Sequence, residues 1–143
     1  MPIKHKILPE FGVVISSHIG DVPDDEFLKS YKQLITSSSY NLAYNLIIDL
    51  RQTDSAQRSP AALRTIVTIL KQVYEGTDNK IKIAMIAQAD LSFGLGRMFQ
   101  AYSSALSGSI AVFRDPAEVV AWLGAPEELL LSLEAETPGD TQN

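Results

Sequence analysis

The sequence predicts a single α/β domain, a mixed and mostly parallel sheet of about five strands with about four flanking helices. Three observations predict it. Asn45-Leu46-Ile47-Ile48-Asp49-Leu50-Arg51 is largely aliphatic, as strands covered on both faces of a parallel sheet are. The polar loop Gln52 to Arg58 then leads to Ser59-Pro60, a serine cap with proline at the first helical position, giving strand, loop and helix in α/β order. Finally, 143 residues with 45% hydrophobic content suffice for one full core and leave no room for a second domain.

Ile3 to Leu8 is a short amphipathic run, Pro9-Glu10 a turn, and Phe11 to Ser17 a β-branched strand, together an initial hairpin. Gly20-Asp21-Val22-Pro23 breaks that pattern. Asp24, Asp25 and Glu26 then favour a helix amino terminus through its dipole, and Phe27, Tyr31, Leu34 and Ile35 share one face of a helix reaching about Thr36. Ser37-Ser38-Ser39 closes it. In the helix after Pro60, Leu63, Ile66, Val67, Leu70 and Tyr74 recur on one side, and Gly76 ends it. Asp78-Asn79 turns the chain into a buried strand, Ile81 to Ala87, and Asp90 is read as the cap of a third helix. Ile110 to Arg114 is the last strand. Asp115-Pro116-Ala117-Glu118 opens a helix that buries Val119, Trp122 and Leu123 and stops at Gly124. Residues 1–124 are thus read as the domain, 125–136 as a segment with a further short helix over Pro126 to Leu133, and 137–143 as a disordered acidic tail.

The third helix carries an apolar stripe, Leu91, Leu95, Met98, Phe99 and Tyr102, yet holds Gly94 and Gly96. Each glycine costs about 1 kcal/mol against alanine inside a helix. One explanation is close backbone packing. The other is a mobile helix, kept loose so that it swings and offers its stripe to a lipid, a ligand or a partner.

Composition narrows the function. All twelve lysines and arginines lie at or before Arg114 with ten of the seventeen acids, so a body of net +2 precedes a tail of −7. No basic stripe of the nucleic-acid-binding kind stands out, and nucleic acid is not an expected partner. With no cysteine, disulfides and thiolate chemistry are excluded, and two histidines leave little for a metal site. No apolar run of the length of a signal core or membrane span follows Met1-Pro2-Ile3-Lys4-His5-Lys6, so a cytoplasmic protein is expected, at most peripheral at a membrane.

Four segments carry a resemblance: Gly20-Asp21-Val22-Pro23-Asp24-Asp25-Glu26-Phe27; Ile48-Asp49-Leu50-Arg51; Phe93-Gly94-Leu95-Gly96-Arg97-Met98-Phe99; and Val112-Phe113-Arg114-Asp115 leading to Ala121-Trp122-Leu123-Gly124. Over roughly residues 11–124 the chain resembles the SpoIIAA-like group of STAS-type domains. The resemblance implies a small α/β protein with a mixed sheet. Relatives include anti-sigma-factor antagonists and, more remotely in architecture, the lipid-carrying CRAL-TRIO domains. The antagonists carry a phosphorylated serine within Asp-Ser-Ser/Thr-Gly. Here Asp54-Ser55-Ala56 is followed by Gln57-Arg58-Ser59-Pro60, without the second hydroxyl or the glycine. Ser55 and Ser59 are the candidate phosphorylation sites, with Ser59 better explained as a helix cap.

If the strands at 45, 81 and 110 are parallel, Arg51, Asp90 and Arg114 reach one edge of the sheet beside three helix amino termini, and Arg58 and Arg97 could join them. That rim reads either as an anion site or as arginines consumed in ion pairs with Asp54, Asp90 or Asp115. A serine-histidine-acid set would need His5 or His18, neither of which lies near a Gly-x-Ser-x-Gly elbow. Gly94-Leu95-Gly96 begins a dinucleotide fingerprint but has Phe99 at the third glycine position, inside a helix. No catalytic residue, metal or cofactor is therefore assigned. The leading expectation is a non-enzymatic, homodimeric regulatory or ligand-binding module that binds a protein partner or an anionic amphipathic ligand such as a lipid or membrane surface. One alternative is a small hydrolase- or transferase-like enzyme at the rim, which predicts a deep pocket holding Asp49, Asp90 or His18 with perturbed ionisation. The other is a phospho-regulated antagonist.

Overall fold

The protein was analysed as a computed structural model, which describes residues 2–54, 58–77, 80–103 and 109–135. Strand β1 (Ile3–Leu8) passes through a single 3-10 turn at Pro9–Phe11 into β2 (Val13–Asp21), followed by α1 (Asp24–Ile35), β3 (Asn45–Asp54), α2 (Pro60–Tyr74), β4 (Lys82–Ile86), α3 (Asp90–Tyr102), β5 (Ser109–Phe113), α4 (Pro116–Leu123) and α5 (Glu128–Glu134). Gly12 permits the reversal, since its φ of 62° is left-handed. The sheet order is β1-β2-β3-β4-β5, with β1 antiparallel to β2 and every later pair parallel. Each parallel connection steps one strand in the same direction. Right-handed crossovers then set α1, α2 and α3 on one face.

Strand alternation divides the core accordingly. Val14, Leu46, Ile48, Ile83 and Met85 pack against Phe27, Tyr31 and Leu34 of α1, Leu63, Ile66 and Val67 of α2, and Phe99 of α3. Val13, Ile15, Ile47, Ala84 and Ile86 face the other way, onto Val119 and Val120 of α4 and Leu129 and Leu133 of α5. The sheet is mixed, mostly parallel and five-stranded, as its sequence predicts.

Boundaries differ in instructive places. Gly20 does not end β2, because the backbone continues to pair with β3 out to Asp21 and Asp54, while Phe11 belongs to the turn. The register shifts between Ser17 and Ile19, which pair with Asp49 and Gln52, so β3 carries one extra residue there. Asp90 is not the cap of α3. Ala89 holds that position and makes no side-chain cap bond, leaving Asp90 to favour the first turn by charge alone. Asp115 and Ser59 do cap, accepting from the amides of Ala117 and Ala62. The Asp78-Asn79 turn, Ser55 and the 137–143 tail lie outside the described residues.

Candidate functional site

Between the sheet and α1, α2 and α3 lies a cavity of about 60 Å³. Most of its wall is aliphatic or aromatic, with Leu46, Ile48, Ile83 and Met85 from the sheet and Leu63, Ile66, Leu95 and Phe99 from the helices. Leu50 and Thr53 both line it although they are three residues apart, because the extra residue in β3 lies between them. Toward the carboxyl ends of β2 and β3 the wall becomes polar, with His18, Tyr31, Thr53 and Arg58. Tyr40 also lines the cavity, and its hydroxyl lies 2.9 Å from that of Tyr74.

The polar end is built by alternation. Val14, Ser16 and His18 point to the α1 side of β2, and the antiparallel register sets His5 opposite Ser16. Helix α1 adds Ser30 and Tyr31. Two sets of side-chain hydrogen bonds result: His5 joins Ser30 Oγ through Nε2 and Ser16 Oγ through Nδ1, both at 2.7 Å, and Tyr31 OH meets His18 Nε2 at 2.7 Å. His18 Nδ1 has no partner among the described residues, although the side chain is buried. Burial, helped by the positive charge of Arg58 and by His5, lowers the His18 pKa to about 3. Burial also lowers His5 and raises Tyr31. Both imidazoles are therefore neutral near pH 7, each with one N–H and one lone pair.

The Arg58 guanidinium stacks 3.9 Å from the centroid of Phe27 and donates to Asp24 Oδ1 at 2.8 Å. The Ser59 amide donates to the same oxygen, tying the amino ends of α1 and α2 together. Burial pushes the Asp24 pKa up, but the bonds from Ser59 and Arg58 outweigh it and hold the carboxyl below its usual value. Ser59 Oγ accepts from the Ala62 amide at 3.1 Å and so serves as a cap.

The expected arginine rim is not one site. Arg51 lies on the opposite face of the sheet, paired with Asp49 and donating to the Leu133 carbonyl of α5. Arg114 pairs with Asp90 at 3.0 Å, donates to the Gln88 carbonyl and stacks on Phe93. Arg97 is exposed on α3. Of the five rim residues, Arg58 alone lines the cavity. The separation arises because successive strand residues point to opposite faces, so nearness to one sheet edge does not bring side chains together.

On α3, Leu95, Gly96 and Phe99 line the cavity, Met98 and Tyr102 pack at its border, and Leu91 remains 54% exposed. The two glycines differ. A Cβ on Gly96 would sit 2.8 Å from Val112 Cγ2 and 3.2 Å from its Cβ, whereas one on Gly94 would meet nothing within 4 Å. Sequence reasoning missed His5, Ser16, Ser30, Tyr31 and His18 as a group. The available signal was the polar run Ser16-Ser17-His18 continuing a strand whose preceding residues, Val13, Val14 and Ile15, are core-forming.

No family model matches the chain, and no curated protein matches it. Among solved structures it is similar to the crystal structure, at 2.25 Å resolution, of an uncharacterized protein from the DUF3478 family with a SpoIIAA-like fold, from Shewanella loihica PV-4. The TM-score is 0.53 and the identity 16%, over 85% of this chain and 91% of that one. The chain therefore has a SpoIIAA-like fold, and the likeness extends to fold alone. Among the described residues no helix is long and apolar enough to cross a membrane.

Proposed function

We propose that this SpoIIAA-like chain is a non-enzymatic binding module for an amphipathic anionic ligand, its apolar part held between the sheet and α1, α2 and α3 and its anionic end near Arg58. The carrying observation is the division of the cavity wall: apolar over most of its length, polar at the end formed by His18, Tyr31, Thr53 and Arg58. An apolar pocket with a few convergent polar groups is the usual form of a small-molecule site. At about 60 Å³ the cavity is far smaller than the roughly 300–1,000 Å³ of ordinary ligand pockets, so any acyl chain requires α3 to move outward from the sheet. Helix α3 is the wall for which this motion is proposed, and exposed Leu91 is where a membrane surface would meet it.

The carboxylates at the strand ends support binding over catalysis. Asp49 is sealed by Arg51, and Asp90 is paired with Arg114 at the surface. Ser59 is occupied as a helix cap, which favours no phosphorylation switch at that position.

The test is thermal unfolding with a series of straight-chain carboxylates from butanoate to decanoate. A ligand that binds only the folded chain raises the midpoint with concentration. The expected result is a rise that depends on chain length. No shift with any member of the series up to millimolar concentration would refute the reading.

A further inference from the structure

We infer that His18 Nδ1 is the atom that receives the carboxylate of the ligand, and that the Tyr31 bond to Nε2 sets the hydrogen-bonding sense it presents. This rests on the cavity reading above and deepens it.

A buried polar nitrogen without a partner is costly, and His18 Nδ1 is such an atom on a side chain that lines the cavity; it has almost no exposed surface itself, so the carboxylate reaches it as the cavity widens. The other nitrogen is committed to Tyr31. Neutral imidazole offers one donor and one acceptor, so the direction of the Tyr31 bond decides what Nδ1 offers. If Tyr31 O–H donates to Nε2, Nδ1 of His18 carries the proton and is a donor; if Nε2–H donates to Tyr31, Nδ1 is a bare acceptor.

Arg58 favours the donor form. Its side chain lines the same polar end with the guanidinium paired to Asp24, so an anion there meets a partly compensated cation as well as the Nδ1–H donor. The apolar wall takes the rest. The ligand class is thus a monocarboxylic acid with an aliphatic tail, whether free in solution or partitioned into a membrane.

The test exploits two variants that keep different halves of the ring. The amide of asparagine stands near the place of Nδ1, and that of glutamine near the place of Nε2. Binding of octanoate and of octane, the latter the apolar control without a head group, is measured by calorimetry or ligand-observed NMR on the full chain. His18→Asn should retain octanoate, while His18→Gln and His18→Phe should lose affinity roughly tenfold or more, the worth of a charge-assisted hydrogen bond. Octane should bind all four proteins alike, which shows that the cavity is intact. Isotope-labelled histidine in the native protein should show a protonated Nδ1 whose proton moves downfield with octanoate. Equal octanoate binding by all variants, or better retention by Gln than by Asn, overturns the assignment of Nδ1 while leaving the cavity reading standing. If neither octane nor any member of the carboxylate series from butanoate to decanoate binds the native chain, both readings fall. Octanoate in free solution and octanoate partitioned into phospholipid vesicles, compared as sources, decide where the carboxylic acid is taken from.

Discussion

Arg51 and Asp49 occupy alternate positions on one strand, and the guanidinium donates Nε to Oδ1 at 2.9 Å and Nη2 to Oδ2 at 2.8 Å while the Arg51 amide donates to Oδ1 at 3.1 Å, with side chains only 6% and 1% exposed. The same Nη2 donates to the Leu133 carbonyl at 2.7 Å. A pair this buried is costly to assemble and more costly to break. Its geometry makes it a fastener between the central strand and α5.

Arg51→Ala should therefore destabilise the fold by about 3–5 kcal/mol, because Asp49 is left charged and buried. Arg51→Met combined with Asp49→Leu should recover most of that loss. Urea unfolding gives both values, and hydrogen exchange should show α5 amides losing protection first in the single variant. A loss under about 1 kcal/mol in Arg51→Ala would contradict the burial of the pair.

The α3 glycines should respond in opposite directions. Gly94→Ala places a methyl in open space and gains helix propensity, so stability should rise by about 1 kcal/mol. Gly96→Ala drives its Cβ onto Val112 and should cost about 1–3 kcal/mol through overpacking. Denaturation midpoints of the two single variants distinguish these effects, which a double variant would blend.

Acid sensitivity should trace to the buried imidazole. His18 has a folded pKa of about 3 against an ordinary 6.5, so between those values the unfolded chain binds the extra proton. Its contribution is fully present above pH 6.5 and is lost as pH falls toward about 3. The slope is at most about 1.4 kcal/mol per pH unit for one proton. His5, also lowered by burial, acts in the same direction. His18→Gln should flatten the dependence measured by urea unfolding at a series of pH values. An unchanged slope would mean that His18 titrates elsewhere.

Arg58 and Arg114 each stack on a phenylalanine and pair with an aspartate, yet their surroundings differ. The Arg58 side chain is 9% exposed and that of Arg114 47%. Arg114→Ala should change stability by less than about 1 kcal/mol. Arg58→Ala should cost about 2 kcal/mol, since it removes a desolvated cation from Phe27 and the bridge to Asp24. Parallel unfolding curves suffice to compare them.

Much of the scaffold was legible because its signals are local. Ser59-Pro60 and Asp115-Pro116 mark two helix starts, and the aliphatic run at 46–48 marks the inner strand. The rim arginines face different ways for a reason just as physical. Arg51 and Arg58 lie seven residues apart in sequence, but one points to α5 and the other lines the cavity under α1 and α2. The extra residue of β3 shifts the facing of its last turn of alternation, and no residue pattern announces it.

For this protein the sequence by itself determined the order of strands and helices, the five-stranded mixed sheet and the apolar stripe of α3, since capping, alternation and helical periodicity act over a few residues. Tertiary structure alone decided which polar groups meet. His5 meets Ser16 and His18 meets Tyr31 only when an antiparallel hairpin and a helix pack on one face. Gly96 acquires its tight fit only against Val112 of the neighbouring strand, because side-chain contact across elements depends on register and packing rather than on sequence spacing.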